Sequence, residues 1–226
     1  MNSRHRKSAT RRNRESLPWI GGALAALILT LGANGTLSSW TSAIITNDTN
    51  TVATAQAVIL QEVQGANTCR SSADVSNSYT CTTINKYGGT ATPLVPGGSQ
   101  VSTVTFTNAG SANATTFALA PGSCSQTPTA GSGTVPATNL CTSGDLTVAV
   151  GCSPGATYSA GSAWTDLVYS AAAPPTATKT HNAAGGDLNA AATWTCQFTV
   201  ALSAIAPVAA QGITVTQPLT WTLSKP

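Results

Sequence analysis

Beyond residue 50 the chain alternates apolar and polar positions with a period of two, the pattern of strands that set one face on a core. Thr193–Leu202 is the clearest case: Trp194, Cys196, Phe198, Val200 and Leu202 share one face, against Thr193, Thr195, Gln197 and Thr199. Residues 213–223 repeat it, with Ile213, Val215, Leu219, Trp221 and Leu223 opposite Thr214, Thr216, Thr220 and Thr222. Pro218 interrupts that run and cannot donate to a ladder, which predicts an edge position or a bulge. Residues 100–108 set Val104 and Phe106 against Thr103, Thr105 and Thr107, and 115–120 is expected to pair with them across the turn Asn108-Ala109-Gly110-Ser111. Further strands are predicted at 54–62, 79–84, 146–150 and 164–169. Turn signals separate them: Pro96-Gly97-Gly98, Pro121-Gly122, Ser153-Pro154-Gly155, Pro174-Pro175 and Gly185-Gly186. About eight short strands with such breaks predict an all-β fold, a two-sheet antiparallel β-sandwich of jelly-roll kind. One domain would cover 55–226, with long loops at 123–140 and 170–189.

The first forty residues follow a different rule. Arg4, Arg6, Lys7, Arg11, Arg12 and Arg14 precede an apolar run, 17–31, broken only by Pro18, two glycines and Thr30, and the small residues Ser38 and Ser39 follow. A cationic start, a short apolar middle and a small-residue exit describe a helical secretory signal peptide over 1–39, cut between Ser39 and Trp40. The run of about 15 residues falls short of the roughly 20 that a spanning helix needs. Membrane contact is therefore expected only through the leader, and a signal peptidase is the expected partner during export. Arg11-Arg12 lacks the apolar pair that follows a twin-arginine export signal.

Export changes the charge argument. The formal +3 belongs to the whole chain. Beyond residue 39 only Arg70, Lys86, Lys179 and Lys225 stand against Asp48, Glu62, Asp74, Asp145, Asp166 and Asp187, a net of −2. A nucleic-acid partner is excluded, because it needs a basic stripe to neutralise phosphates. About 187 residues remain, enough for one domain with a core. Threonine makes up roughly one residue in six, and β-branched residues at low net charge argue against disorder.

All six cysteines lie beyond the leader: Cys69, Cys81, Cys124, Cys141, Cys152 and Cys196. An even count in an exported chain implies three disulfides, for which fifteen pairings are open. Pairing neighbours along the chain gives Cys69 with Cys81, Cys124 with Cys141, and Cys152 with Cys196. No CxxC occurs, and His181 is the only histidine past the leader. No metal or other cofactor is expected.

Candidate chemistry is sparse. His181 with Asp166 or Asp187 supplies two parts of a Ser-His-Asp arrangement, but no G-x-S-x-G singles out a serine. The six acids are scattered rather than paired for glycoside hydrolysis. Gly185-Gly186-Asp187-Leu188-Asn189 lacks the run of acids a calcium loop uses and reads as a turn. No enzyme is therefore expected. Trp194 and Trp221 sit on apolar strand faces and are expected in the core. Trp164, with Tyr158 and Tyr169 nearby, would form a stacking platform in a monomeric adhesin or carbohydrate-binding module.

Several features occur together in one order. Gly35-Thr36-Leu37-Ser38-Ser39-Trp40-Thr41 ends the leader, a polar segment 47–51 follows, and then the strand Ala55-Gln56-Ala57-Val58-Ile59-Leu60. Leu94-Val95-Pro96-Gly97-Gly98 precedes Val101 to Phe106 and Thr107-Asn108-Ala109-Gly110-Ser111. Over roughly residues 20–120 this resembles the TasA/camelysin family of proteins exported through SipW-type signal peptides in Gram-positive bacteria. Trp40 stands where the family has Phe, Gln56 replaces its Gly, and the cysteines have no counterpart. The resemblance implies a jelly-roll sandwich acting as a surface or biofilm-matrix fibre subunit. It also implies self-association, in which the N-terminal segment of one copy completes a sheet of the next. Here that segment is 40–54, with Trp40, Ile44, Ile45 and Val52 as apolar anchors; the other reading makes these residues this subunit's own first strand or a frayed terminus. The protease activity described for one branch does not carry over, since a zincin needs two histidines and a Glu. This chain offers only His181 and Glu62 past the leader.

Overall fold

The structure, a computed structural model, describes residues 58–225. The signal-peptide region 1–39, its cleavage position at Ser39 and Trp40, and the anchors Ile44, Ile45 and Val52 lie outside the described residues.

Among the described residues the chain is all-β. It runs β1 (Leu60–Gln64), β2 (Asn67–Arg70), β3 (Ser99–Asn108), β4 (Thr116–Pro121), β5 (Ser125–Thr127), β6 (Leu146–Pro154), β7 (Tyr169–Ala172), β8 (Lys179–Asn182), β9 (Thr193–Leu202), β10 (Thr214–Thr216) and β11 (Leu219–Ser224). Every pairing is antiparallel. Six strands form one sheet in the order β2-β1-β3-β9-β6-β7, three form a second in the order β11-β4-β8, and β10 pairs with β5.

Alternation of side chains fixes the layers. In the β3–β9 ladder Phe106 lies opposite Trp194 and Val104 opposite Cys196, all buried. One residue on, Thr105 faces Thr195 and Thr107 faces Thr193, their hydroxyls 3.5 and 3.3 Å apart on the other face. A register slip of one residue would exchange these sets, so burial of the aromatic face holds the register. The three-stranded sheet covers that face as the second layer of a sandwich. Phe117 of β4 stacks on Trp221 of β11 at 5.1 Å and meets Trp194 edge-on at 4.8 Å and Phe106 at 5.2 Å. Offset and edge contacts of this kind add to the area each ring buries.

Several strand expectations need correction. Residues 115–120 do not return beside β3: β4 pairs with β11 and β8 in the opposite sheet, because Phe117 and Leu119 are fully buried only facing the larger sheet. Residues 79–84 form no strand, and an unexpected β2 pairs with β1. At 164–169 a 3₁₀ turn, Thr165–Leu167, precedes β7, with Trp164 and Leu167 both buried at a spacing of three. The expected loop 170–189 carries β7 and β8, whereas 123–140 is irregular apart from β5. Residues 213–223 split at Gln217-Pro218 into β10 and β11, since proline ends the ladder.

A buried polar residue closes the turn after β3. Asn108 is fully buried; its Nδ2 donates to Ala112 O at 2.8 Å and Leu188 O at 3.0 Å, and its Oδ1 accepts from Gly110 N at 3.1 Å. Truncating it orphans two carbonyls and one amide. Asn108→Ala is expected to cost about 2 kcal/mol in urea unfolding; an unchanged midpoint would refute this role.

Three disulfides join Cys69 to Cys81, Cys124 to Cys141 and Cys152 to Cys196. Each links neighbours along the chain, and Cys152 lies directly opposite Cys196 across β6 and β9. Such bridges persist in an oxidising compartment. Among the described residues no helix is long and apolar enough to cross a membrane.

Candidate functional site

Three strands cannot cover six. The smaller sheet ends at β11, which among the described residues pairs only with β4, and β10 pairs only with β5. Residues 78–96 run without regular pairing. The mismatch leaves a groove of about 790 Å³ between 81–96 and 210–219, floored by the ends of β3, β6 and β9. Ile84, Leu94, Leu146, Leu202, Ile213 and Leu219 give it apolar lining, interleaved with polar side chains such as Thr90, Thr92 and Gln100. Its volume falls in the range of ligand clefts.

Its polar wall is internally matched. Tyr87 Oη donates to Gln217 Oε1, and Gln217 Nε2 donates to Gly122 O at 2.8 Å and Pro175 O at 2.7 Å. Burial pushes the Tyr87 hydroxyl well above its ordinary range, so it stays a donor. Gln100 packs where a side chain on Gly88 would sit, and Gly88 has φ +85°, so only glycine fits there.

The groove and the chain's point of entry lie at opposite ends of β3. Val58 packs on Gly110, and Ala109 N donates to Ile59 O at 2.8 Å, both beside the Asn108 end. The groove floor includes Gln100, about 26 Å away at ~3.3 Å per residue.

A second cluster forms around His181 on β8, which is 5% exposed. Its Nδ1 lies 2.8 Å from Asp166 Oδ1 and its Nε2 2.9 Å from Asp187 Oδ2, and its ring stacks on Trp164 at 3.7 Å. Asp166 Oδ2 also accepts from Asn182 N at 3.1 Å, and Asp187 Oδ1 from Ala184 N at 2.9 Å. Both ring nitrogens are thus engaged by carboxylate oxygens. Burial raises the Asp166 carboxyl, but hydrogen bonds from His181 and the Asn182 amide outweigh it and hold the group below its ordinary range. With both nitrogens occupied, neither is aimed at a serine. The three groups tie β8, the 165–167 turn and the 184–187 turn into one corner.

The expected stacking aromatics do not form a platform. Trp164 and Tyr169 are buried; Tyr169 Oη donates to Leu119 O at 3.1 Å and Ala177 O at 2.8 Å. Tyr158 is half-buried and lies over Gly151, filling the space a side chain would take there. Trp194 and Phe117 claim the core around Trp164, which leaves its ring no open face. Sequence reading missed Tyr87 and Gln217, whose spacing of 130 residues gives no local signal, and the contact of Lys86 Nζ with Glu62.

No protein-family model, curated protein or solved structure matches the chain. The fold and bridges define its class: an all-β, disulfide-bonded sandwich.

Proposed function

We propose that the protein is a non-catalytic cell-surface or extracellular-matrix subunit that leaves the cell through its signal peptide and polymerises by strand addition. The observation that carries this reading is the edge of β11, unpaired among the described residues, beside a groove at the end of the sandwich away from the chain's entry. An open strand edge offers unmatched N–H and C=O groups that another chain's extended segment satisfies, while alternate side chains fill pockets. The donor is residues 40–54 of the next copy, with Trp40, Ile44, Ile45 and Val52 as apolar anchors. Donor and acceptor at opposite ends make a head-to-tail contact, which generates open filaments rather than closed pairs. The alternative, a monomeric carbohydrate-binding module, loses Trp164 and Tyr169 to the core.

Electron microscopy of the mature protein tests the proposal. Filaments are expected from residues 40–226 and none from 55–226. A protein that elutes as a monomer at high concentration with or without 40–54 refutes it.

A further inference from the structure

Glu62 is the one acidic side chain on the inner face of the larger sheet. It sits on β1 in register with Phe106 of β3 and Cys69 of β2, and is 7% exposed. Lys86 reaches it from the groove wall, with only 10% of its side chain exposed, and Nζ contacts Oε1. Yet Glu62 Oε1 has no hydrogen-bond partner among the described residues. The contact of Nζ with Oε1 therefore falls outside hydrogen-bond geometry. A buried ion pair is stabilising only when its geometry and remaining hydrogen bonds are good. Here they are not.

We propose that Glu62 and Lys86 condense into an intramolecular amide cross-link. The step begins with the ammonium passing one proton to the carboxylate, which gives an amine and a carboxylic acid. The Nζ lone pair attacks Cδ; the Nζ–Cδ bond forms, the bond from Cδ to one oxygen breaks, and that oxygen leaves as water with a second nitrogen proton. One proton stays on the amide nitrogen. No oxidant or co-reactant is needed. The fold supplies the proximity that drives such a step. The Cys69–Cys81 bridge lies inside the 62–86 loop and anchors the segment that carries Lys86. The two links together would fasten the groove wall to the β1–β2 hairpin.

Mass spectrometry of the purified, disulfide-bonded protein decides the matter. The wild-type mass is expected to lie one water below that of the sequence with three disulfides, and Glu62→Ala and Lys86→Met each to lack that deficit. A digest of the reduced protein should yield one peptide pair joined through Glu62 and Lys86. Should either variant fail to fold, the wild-type chain suffices: after reduction and denaturation Lys86 should resist an amine-reactive reagent. Complete labelling of Lys86, with no water missing from the mass, overturns the proposal and leaves an ion pair.

Discussion

Replacing His181 with alanine is expected to remove about 3 kcal/mol of unfolding free energy, from carboxylate oxygens left without their hydrogen-bond partner and from the space opened beside Trp164. The side chain of Asp187 is only 10% exposed, and its Oδ2 would lose the His181 ring nitrogen 2.9 Å away. The ring on Trp164 would also go, leaving a void beside Phe117. Asp166→Asn should cost much less, because that carboxylate is 39% exposed and water screens its loss. The pH dependence carries a definite sign. The folded Asp166 carboxyl is held below its ordinary range, so the unfolded chain binds protons more readily. Its contribution is complete above the ordinary aspartate range and disappears as pH falls through that range and below it. Urea unfolding of the His181→Ala chain checks the first point, and a loss under 1 kcal/mol would refute the corner as a stabilising unit.

Removing the Cys152–Cys196 bridge as a double alanine variant is expected to cost about 4 kcal/mol, from freeing a chain of 44-residue separation in the unfolded state. Both cysteines are fully buried between β6 and β9, so trimmed sulfurs add a packing loss. The Cys124–Cys141 bridge spans only 17 residues and sits in half-buried surroundings. Its removal should cost less, about 3 kcal/mol by the same relation. Thermal melts of the two double variants establish the order. If the shorter bridge proves the costlier, loop entropy is not what these disulfides supply.

Period-two patterns were legible where one face is buried. Thr193–Leu202 shows it, since Trp194, Cys196, Phe198, Val200 and Leu202 all point inward. Which strand lies beside which was less legible. A four-residue turn after Asn108 favours a hairpin locally, but burial of Phe117 and Leu119 sends β4 across to the other layer. Trp164 and Leu167, three apart, belong to a tight turn that mimics a strand in composition. His181, Asp166 and Asp187 were visible as separate candidates; only the fold places both carboxylates on one ring at once. The groove left no trace in sequence. Its walls come from residues as distant as Ile84, Leu146 and Ile213, and it exists because one layer has fewer strands than the other.

The cystine between positions 124 and 141 has a consequence for how this chain can be altered. It clamps both stems of a surface excursion whose base is held by β5 against β10 and whose residues 128–136 are exposed. Lengthening such a tethered arc costs little, roughly 0.6 kcal/mol for each doubling. The tip around Gly131, Ser132 and Gly133 is thus the natural place to carry a grafted epitope or tag, displayed outward while the strands beneath keep their register.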